Sequence, residues 1–295
     1  MFNAIRMDLY RLIHTKSTYV IIVITILLAI ATTGVTALFM NMIEEAKNEA
    51  AEYSQETEST SYAADETADD TGLTFTVDDL DEEDIEAADS EVKITNMIVS
   101  DISGINVGLL LAIFAVMFST ADINSGYIKS VGGQVKSRGL LITSKMAALA
   151  VFTLVIFIVD AIAQCIVTPL LIHGAIIGNV ADMFKILGVQ YIMNVSLAFF
   201  IMSMAIIIKN NVISMIISVC LCTGIFGLIF NGINLLISKA GVENFDINNY
   251  IIINKITSID MGATGKDIGS AIVVSVLWAV VGLVAVYNVF KRRDI

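Results

Sequence analysis

Proline, tryptophan and histidine are almost missing from this 295-residue chain, which has one Pro, one Trp and two His. Charge is scarce as well, at 16% against about 25% in an ordinary soluble domain. The three cysteines, Cys165, Cys220 and Cys222, lie in apolar runs. That placement excludes a disulfide-stapled extracellular fold. With only His14 and His173 to add to them, a tetrahedral Cys/His zinc set is excluded as well. There is no HExxH helix, no glycine-rich phosphate loop ending in Lys-Ser/Thr and no GxSxG elbow. The chemistry those motifs carry is therefore not expected on this chain. If the protein moves a solute uphill, ATP and Mg2+ are handled by a partner, and no cofactor is expected here.

What the chain has is apolar length. Hydrophobic residues make up 56% of it, and several runs reach the roughly 20 residues that cross a bilayer as a helix. The fold expected is an all-α integral membrane protein with six transmembrane helices, at 18–43, 97–119, 146–172, 184–208, 212–237 and 269–290. The first run is too long for a signal-peptide core and reads as a retained span. Only Lys209-Asn210-Asn211 separates the fourth and fifth runs, which predicts a tight antiparallel pair. Residues 1–17 read as an amphipathic helix in the headgroup plane. Phe2, Ile5, Leu9, Leu12 and Ile13 form its apolar stripe. Arg6, Arg11 and Lys16 face anionic lipid, with Asp8 also off the stripe.

An even number of spans puts both termini on one side. Placing them in the cytosol puts eleven Lys and Arg inside and six outside, the bias expected of an N-in, C-in protein. The 291–295 tail is then cytoplasmic. The external segment 44–96 holds nearly all the acidity. Between residues 44 and 93 stand 19 acids and two bases, a charge of −17, whereas the remainder carries +5. Residues 44–55 are Ala/Glu-rich and read as a continuation of the first helix into water. Residues 56–71 have a disorder-prone composition, 73–77 alternates like a strand, and 78–91 reads as an acidic helix. Such a field concentrates cationic ligands; the bland alternative is a solvated linker. In the second external segment, 238–268, residues 245–256 are apolar enough to sit at the interface or dip partly into the bilayer but too interrupted to span.

Inside the spans, Asp160 stands out, because a carboxylate at bilayer depth is costly and marks a functional position. Gln164 lies one turn further on the same face, and Asn194 of the fourth run joins them in an expected intramembrane polar path, read as a patch on the substrate path or a proton site. The bland alternative is an interhelical hydrogen-bond knot. Gly104-x-x-x-Gly108 and Gly174-x-x-x-Gly178 read as sites of close helix approach.

Between the second and third runs lies a short basic hairpin, 120–145. It contains Asp122, Gly126, Lys129, Lys136, Ser137, Arg138, Ser144 and Lys145. An acidic residue, then Gly-small-x-Lys, a turn, Ser-Arg and a Lys opening the next span resembles the coupling hairpin of the permease subunit of type-2 ATP-binding-cassette (ABC) exporters. The six-run layout, the amphipathic start and the end Phe290-Lys-Arg-Arg-Asp-Ile295 are also similar to that family. Tyr127, where the family often has Thr, and Gly132-Gly133-Gln134-Val135, where it often has Leu-x-x-Pro, depart from it.

The resemblance implies a bacterial plasma-membrane protein without enzyme activity of its own. Asp122, Gly126, Lys129, Ser137, Arg138 and Lys145 would form the coupling surface for a separate ABC ATPase subunit. A second permease copy, or a homologous permease, would complete the path for an amphipathic or hydrophobic substrate such as an antimicrobial peptide or drug. Membrane lipid is a partner; nucleic acid is not. The alternative from a different class is a non-transporting sensor or immunity protein that sequesters cationic peptides with the acidic loop.

Overall fold

A computed structural model describes residues 2–59, 92–124, 139–239 and 246–292. Ten α-helices lie among the described residues: α1 (Phe2–His14), α2 (Lys16–Ser59), α3 (Ile94–Ser103), α4 (Ile105–Asn124), α5 (Gly139–Leu171), α6 (Val180–Ile208), α7 (Asn211–Cys222), α8 (Ile225–Lys239), α9 (Ile252–Thr257) and α10 (Gly265–Arg292). The 73–77 strand and 78–91 helix expected from sequence lie outside the described residues, as does most of the basic hairpin. The helix expected over 44–55 is present, since α2 continues to Ser59.

Four helices are long and apolar enough to cross a membrane, over Lys16–Ala46, Ile142–Leu171, Val180–Ile208 and Gly265–Val289. The second and fifth runs, expected as single spans, are each broken. α3 and α4 meet at 44°, and α7 and α8 at 63°. Gly104 interrupts the first pair in extended conformation. Gly224 interrupts the second with φ of +74°, a backbone state that side-chain-bearing residues rarely adopt. The bundle therefore holds four to six candidate spans, depending on whether each bent pair crosses as one. Helices are what a membrane permits, because lipid offers backbone N–H and C=O groups no partner outside the segment itself.

The core forms where α6 meets α10 and α4, where α5 meets α2, and where α4 meets α7. Gly282 of α10 lies so close to α6 that an added Cβ would stand 3.1 Å from Ser203 Oγ and 3.2 Å from Phe200 Cα. This is the small-residue approach typical of membrane helices, where dispersion contacts replace the hydrophobic drive. Phe200 and Trp278 pack edge to face beside it at 4.8 Å. Between α4 and α5, Phe114 and Phe152 stack at 3.6 Å. Large apolar side chains on the outside, among them Val20, Val23, Leu27 and Val35 of α2 and Val273, Leu277 and Val281 of α10, form a surface suited to lipid.

The tight turn expected at 209–211 is present. Lys209 takes a left-handed conformation, φ 60°, to end α6. Asn210 then caps α7, its side-chain oxygen accepting from the amides of Val212 and Ile213. The lone proline, Pro169, lies in the last turn of α5, and a proline cannot continue a helix for long because it lacks the N–H that bonds to the carbonyl four residues back.

The Gly174/Gly178 pair does not mediate helix crossing, because both residues fall in the loop between α5 and α6. That loop bridges to the chain entering α3: Ile94 N–H donates to Ile176 O and Ile176 N–H to Val92 O, both at 2.9 Å. Gly178 is needed for this close approach, since an added Cβ would lie 2.1 Å from Thr95 Oγ1. The apolar segment around residue 250 packs into the bundle. Ile251, Ile252, Ile253, Ile256 and Ile259 are buried, and α9 packs against α4, α6 and α10.

Candidate functional site

Three polar clusters interrupt the apolar bundle. The first lies towards the end that carries Lys93. Gln164 of α5 is its hub. Its Oε1 accepts from Thr33 Oγ1 of α2 at 2.9 Å and from Thr168 Oγ1 at 3.0 Å. Its Nε2 donates to Asp101 Oδ2 of α3 at 2.8 Å. Asp160 lies one turn before Gln164 on the same face of α5. Asp160 is 1% exposed and its Oδ2 has no hydrogen-bond partner. Three helices thus converge on two carboxyl groups and one amide.

Asn194, expected beside Asp160 and Gln164, belongs to a second cluster. Its Nδ2 donates to the Gln190 carbonyl at 3.0 Å. Gln190 Nε2 in turn donates to the carbonyls of Ile256 and Ile259, both at 2.9 Å. This amide closes the exposed carbonyl end of α9, a short helix that would otherwise leave those groups without partners in the core. Sequence reasoning missed Gln190 and Asp101, although the signal was available: each is a polar residue within an apolar run, the criterion that marked Asp160.

The third cluster ties the opposite end. Asp8 is 3% exposed and so does not join the polar face assigned to α1. Its carboxylate accepts from Ser144 Oγ of α5 at 2.5 Å, with Arg11 at 3.9 Å. Tucking the carboxylate inward is compensated by that charge-assisted bond. α1 is therefore docked on α5, with Leu12 buried beneath it. Arg6 and Lys16 are exposed and Arg11 half-exposed, as lipid contact requires. Thr120 Oγ1 donates to Asn211 Oδ1 at 3.0 Å, linking α4 to α7.

Among the coupling residues expected from sequence, Asp122 lies in the last turn of α4, while Gly126, Lys129, Ser137 and Arg138 lie outside the described residues. Lys145 is 6% exposed. Its Nζ donates to Phe118 O at 3.2 Å and lies 4.8 Å from the Phe118 ring centre, a cation–π distance. That turns Lys145 inward, joining the first turns of α5 to the end of α4.

Long apolar helices, small-residue contacts and buried polar clusters together define a multi-pass α-helical membrane protein. Neither a known protein family nor a curated protein matches this chain.

Proposed function

We propose that this chain is the permease subunit of an ATP-driven exporter of type-2 ABC architecture. It would work with separate ATPase subunits and a second permease copy to move an amphipathic or hydrophobic substrate out of a bacterial cell. The observation that carries this reading is the basic segment 120–145 together with the way its base is held. Asp122, Gly126, Lys129, Ser137 and Arg138 supply the sequence pattern. At its base, Lys145 ties α5 to α4 and Ser144 ties α5 to α1. A soluble motor pushing on the hairpin would act on three helices at once. The interior is in keeping with apolar cargo, since the buried acidic and basic side chains among the described residues are few: Asp8, Lys145 and Asp160.

The test is purification of the tagged full chain from its native membranes, followed by photolabelling with an ATP analogue. A copurifying, nucleotide-labelled chain is expected. Its absence, with cationic peptide bound by the acidic loop, would favour the sensor or immunity reading, which the −17 charge of residues 44–93 supports.

The N-in, C-in topology has its own test. In a background with Cys165, Cys220 and Cys222 replaced by serine, a membrane-impermeant thiol reagent applied from outside is expected to modify Ser61→Cys but not Ser137→Cys. The reverse pattern would overturn both the topology and a cytosolic motor site.

A further inference from the structure

α8 stands apart from the bundle. None of its 15 residues is buried, and its inner positions, Phe226, Phe230, Asn234 and Ile237, are only half-buried. It packs against α7 and against the single 3-10 turn Ile247–Tyr250. Among the described residues, its side-chain hydrogen bonds to other elements all go to that turn and the residue before it. Asn234 Nδ2 donates to Asp246 Oδ1 at 2.5 Å, and Asn234 Oδ1 accepts from the Ile247 amide at 2.9 Å. Asn231 Oδ1 accepts from Asn248 Nδ2 at 2.8 Å.

The receiving side of these bonds is held by the bundle. Trp278 Nε1 of α10 donates to Tyr250 O at 2.7 Å, and Ile251, Ile252 and Ile253, next in the chain, are buried in the core. α8 has no such anchor. Its other end begins at Gly224, where φ is +74° and where an added Cβ would meet nothing within 4 Å. Glycine takes this backbone state and the helical one with similar ease. With Gly224 helical, residues 211–239 would join as one helix about 43 Å long, the continuous span that the apolar run predicts. The outer face of α8, with Leu228, Ile229, Leu235 and Leu236 exposed, suits lipid in either position, and lipid supplies no hydrophobic drive to choose between them. The bend is therefore decided by the Asn231 and Asn234 bonds against the helical bonds lost at the break. Hydrogen bonds at exposed positions such as Asn231 compete with water and are individually weak.

We propose that α8 is a hinged strap. It swings about Gly224 between the latched position seen here, held by Asn231 and Asn234 on residues 246–248, and a released position in line with α7. Release frees the carboxylate of Asp246 and the Ile247 amide from α8. The device goes beyond export as such and stands whether or not a motor binds the basic hairpin.

A swing through the 63° bend carries the far end of α8 roughly 20 Å, given a helix about 22 Å long. Distances between nitroxide labels on Ser238→Cys, near that end, and Asn249→Cys, on the held turn, read this movement. The full chain is measured in lipid nanodiscs with Cys165, Cys220 and Cys222 replaced by serine. The unaltered latch is expected to give mainly the short distance. Asn234→Leu should lengthen it by more than about 10 Å in most molecules. Gly224→Ala keeps every latch group but disfavours positive φ, and should raise the ratio of long to short distance about tenfold. Gly232→Ala, inside α8 and equally open around its Cβ, should leave the ratio unchanged. A single short distance in both Asn234→Leu and Gly224→Ala would mean a fixed bend and overturn the proposal. So would a broad spread without a second distance, which is fraying, or an equal shift in Gly232→Ala. If Asn234→Leu does not accumulate, Gly224→Ala decides, because it leaves the latch intact.

Discussion

Replacing Lys129 and Arg138 together with glutamate is expected to abolish copurification of an ATPase subunit while leaving the chain in the membrane. Both residues belong to the basic segment between two apolar runs, and both are suited to pairing with acids on a soluble partner. Reversal places like charges against that partner, which costs several kcal/mol at an interface. At about 1.4 kcal/mol per tenfold, a loss of about 3 kcal/mol already lowers affinity about 100-fold. Insertion should change little, since Lys136, Lys145 and the terminal bases preserve the positive-inside bias. The readouts are the amount of chain in the membrane fraction, copurified ATPase and ATP turnover. Normal copurification and turnover would refute docking through these residues. Loss of the chain from the membrane would assign them to topology instead.

Ser144→Val is expected to release α1 from the bundle. Asp8 is buried, and Ser144 Oγ donates to it at 2.5 Å. Arg11 at 3.9 Å is a long, half-exposed ion pair of the kind that contributes little. A hydrogen bond to a charged group is worth about 1.5–3 kcal/mol, and valine keeps most of the volume while removing the donor. The expected result is faster tryptic cleavage after Arg6 and Arg11 by about tenfold or more, in keeping with that loss. Adding Asp8→Leu should recover much of the protection, because removing both polar partners is far less costly than stranding one of them. Cleavage of Ser144→Val at the wild-type rate would show that Leu12 and its apolar neighbours hold α1 without this bond.

Asp160 and Lys145 illustrate how far residue type alone carries. Asp160 stands out because a carboxylate is rare within an apolar run, and Lys145 because it closes the basic pattern that opens the next run. What surrounds them was not foreseeable: Asp101, bonded to the Gln164 that follows Asp160 by one turn, lies in a different run, and the Phe118 carbonyl is a backbone group with no sequence signature. Asn194 was grouped with Asp160 on polarity alone, yet the helix packing places it with Gln190 above α9. Asp8 was assigned to the polar face of an interfacial helix, because an isolated amphipathic helix keeps its charges outward. Docking on α5 supplies the Ser144 hydroxyl that makes an inward carboxylate tolerable. The breaks at Gly104 and Gly224 fall inside runs whose hydropathy is continuous, and hydropathy measures preference for lipid without registering backbone direction.

By itself the sequence determined the class of molecule: a helical membrane bundle, the order of its apolar runs, the short turn at Lys209 and the concentration of acid in one loop. These follow from composition and run length, since only a helix satisfies its backbone within lipid. What only the tertiary structure decided is which face of each helix is buried, where the second and fifth runs bend, and which polar groups meet. In water an apolar stripe reveals the inner face of a helix. In a membrane both faces are apolar, so the period of the sequence no longer distinguishes them. The joining of Thr33, Asp101 and Gln164, residues far apart in the chain, is settled only when α2, α3 and α5 pack together.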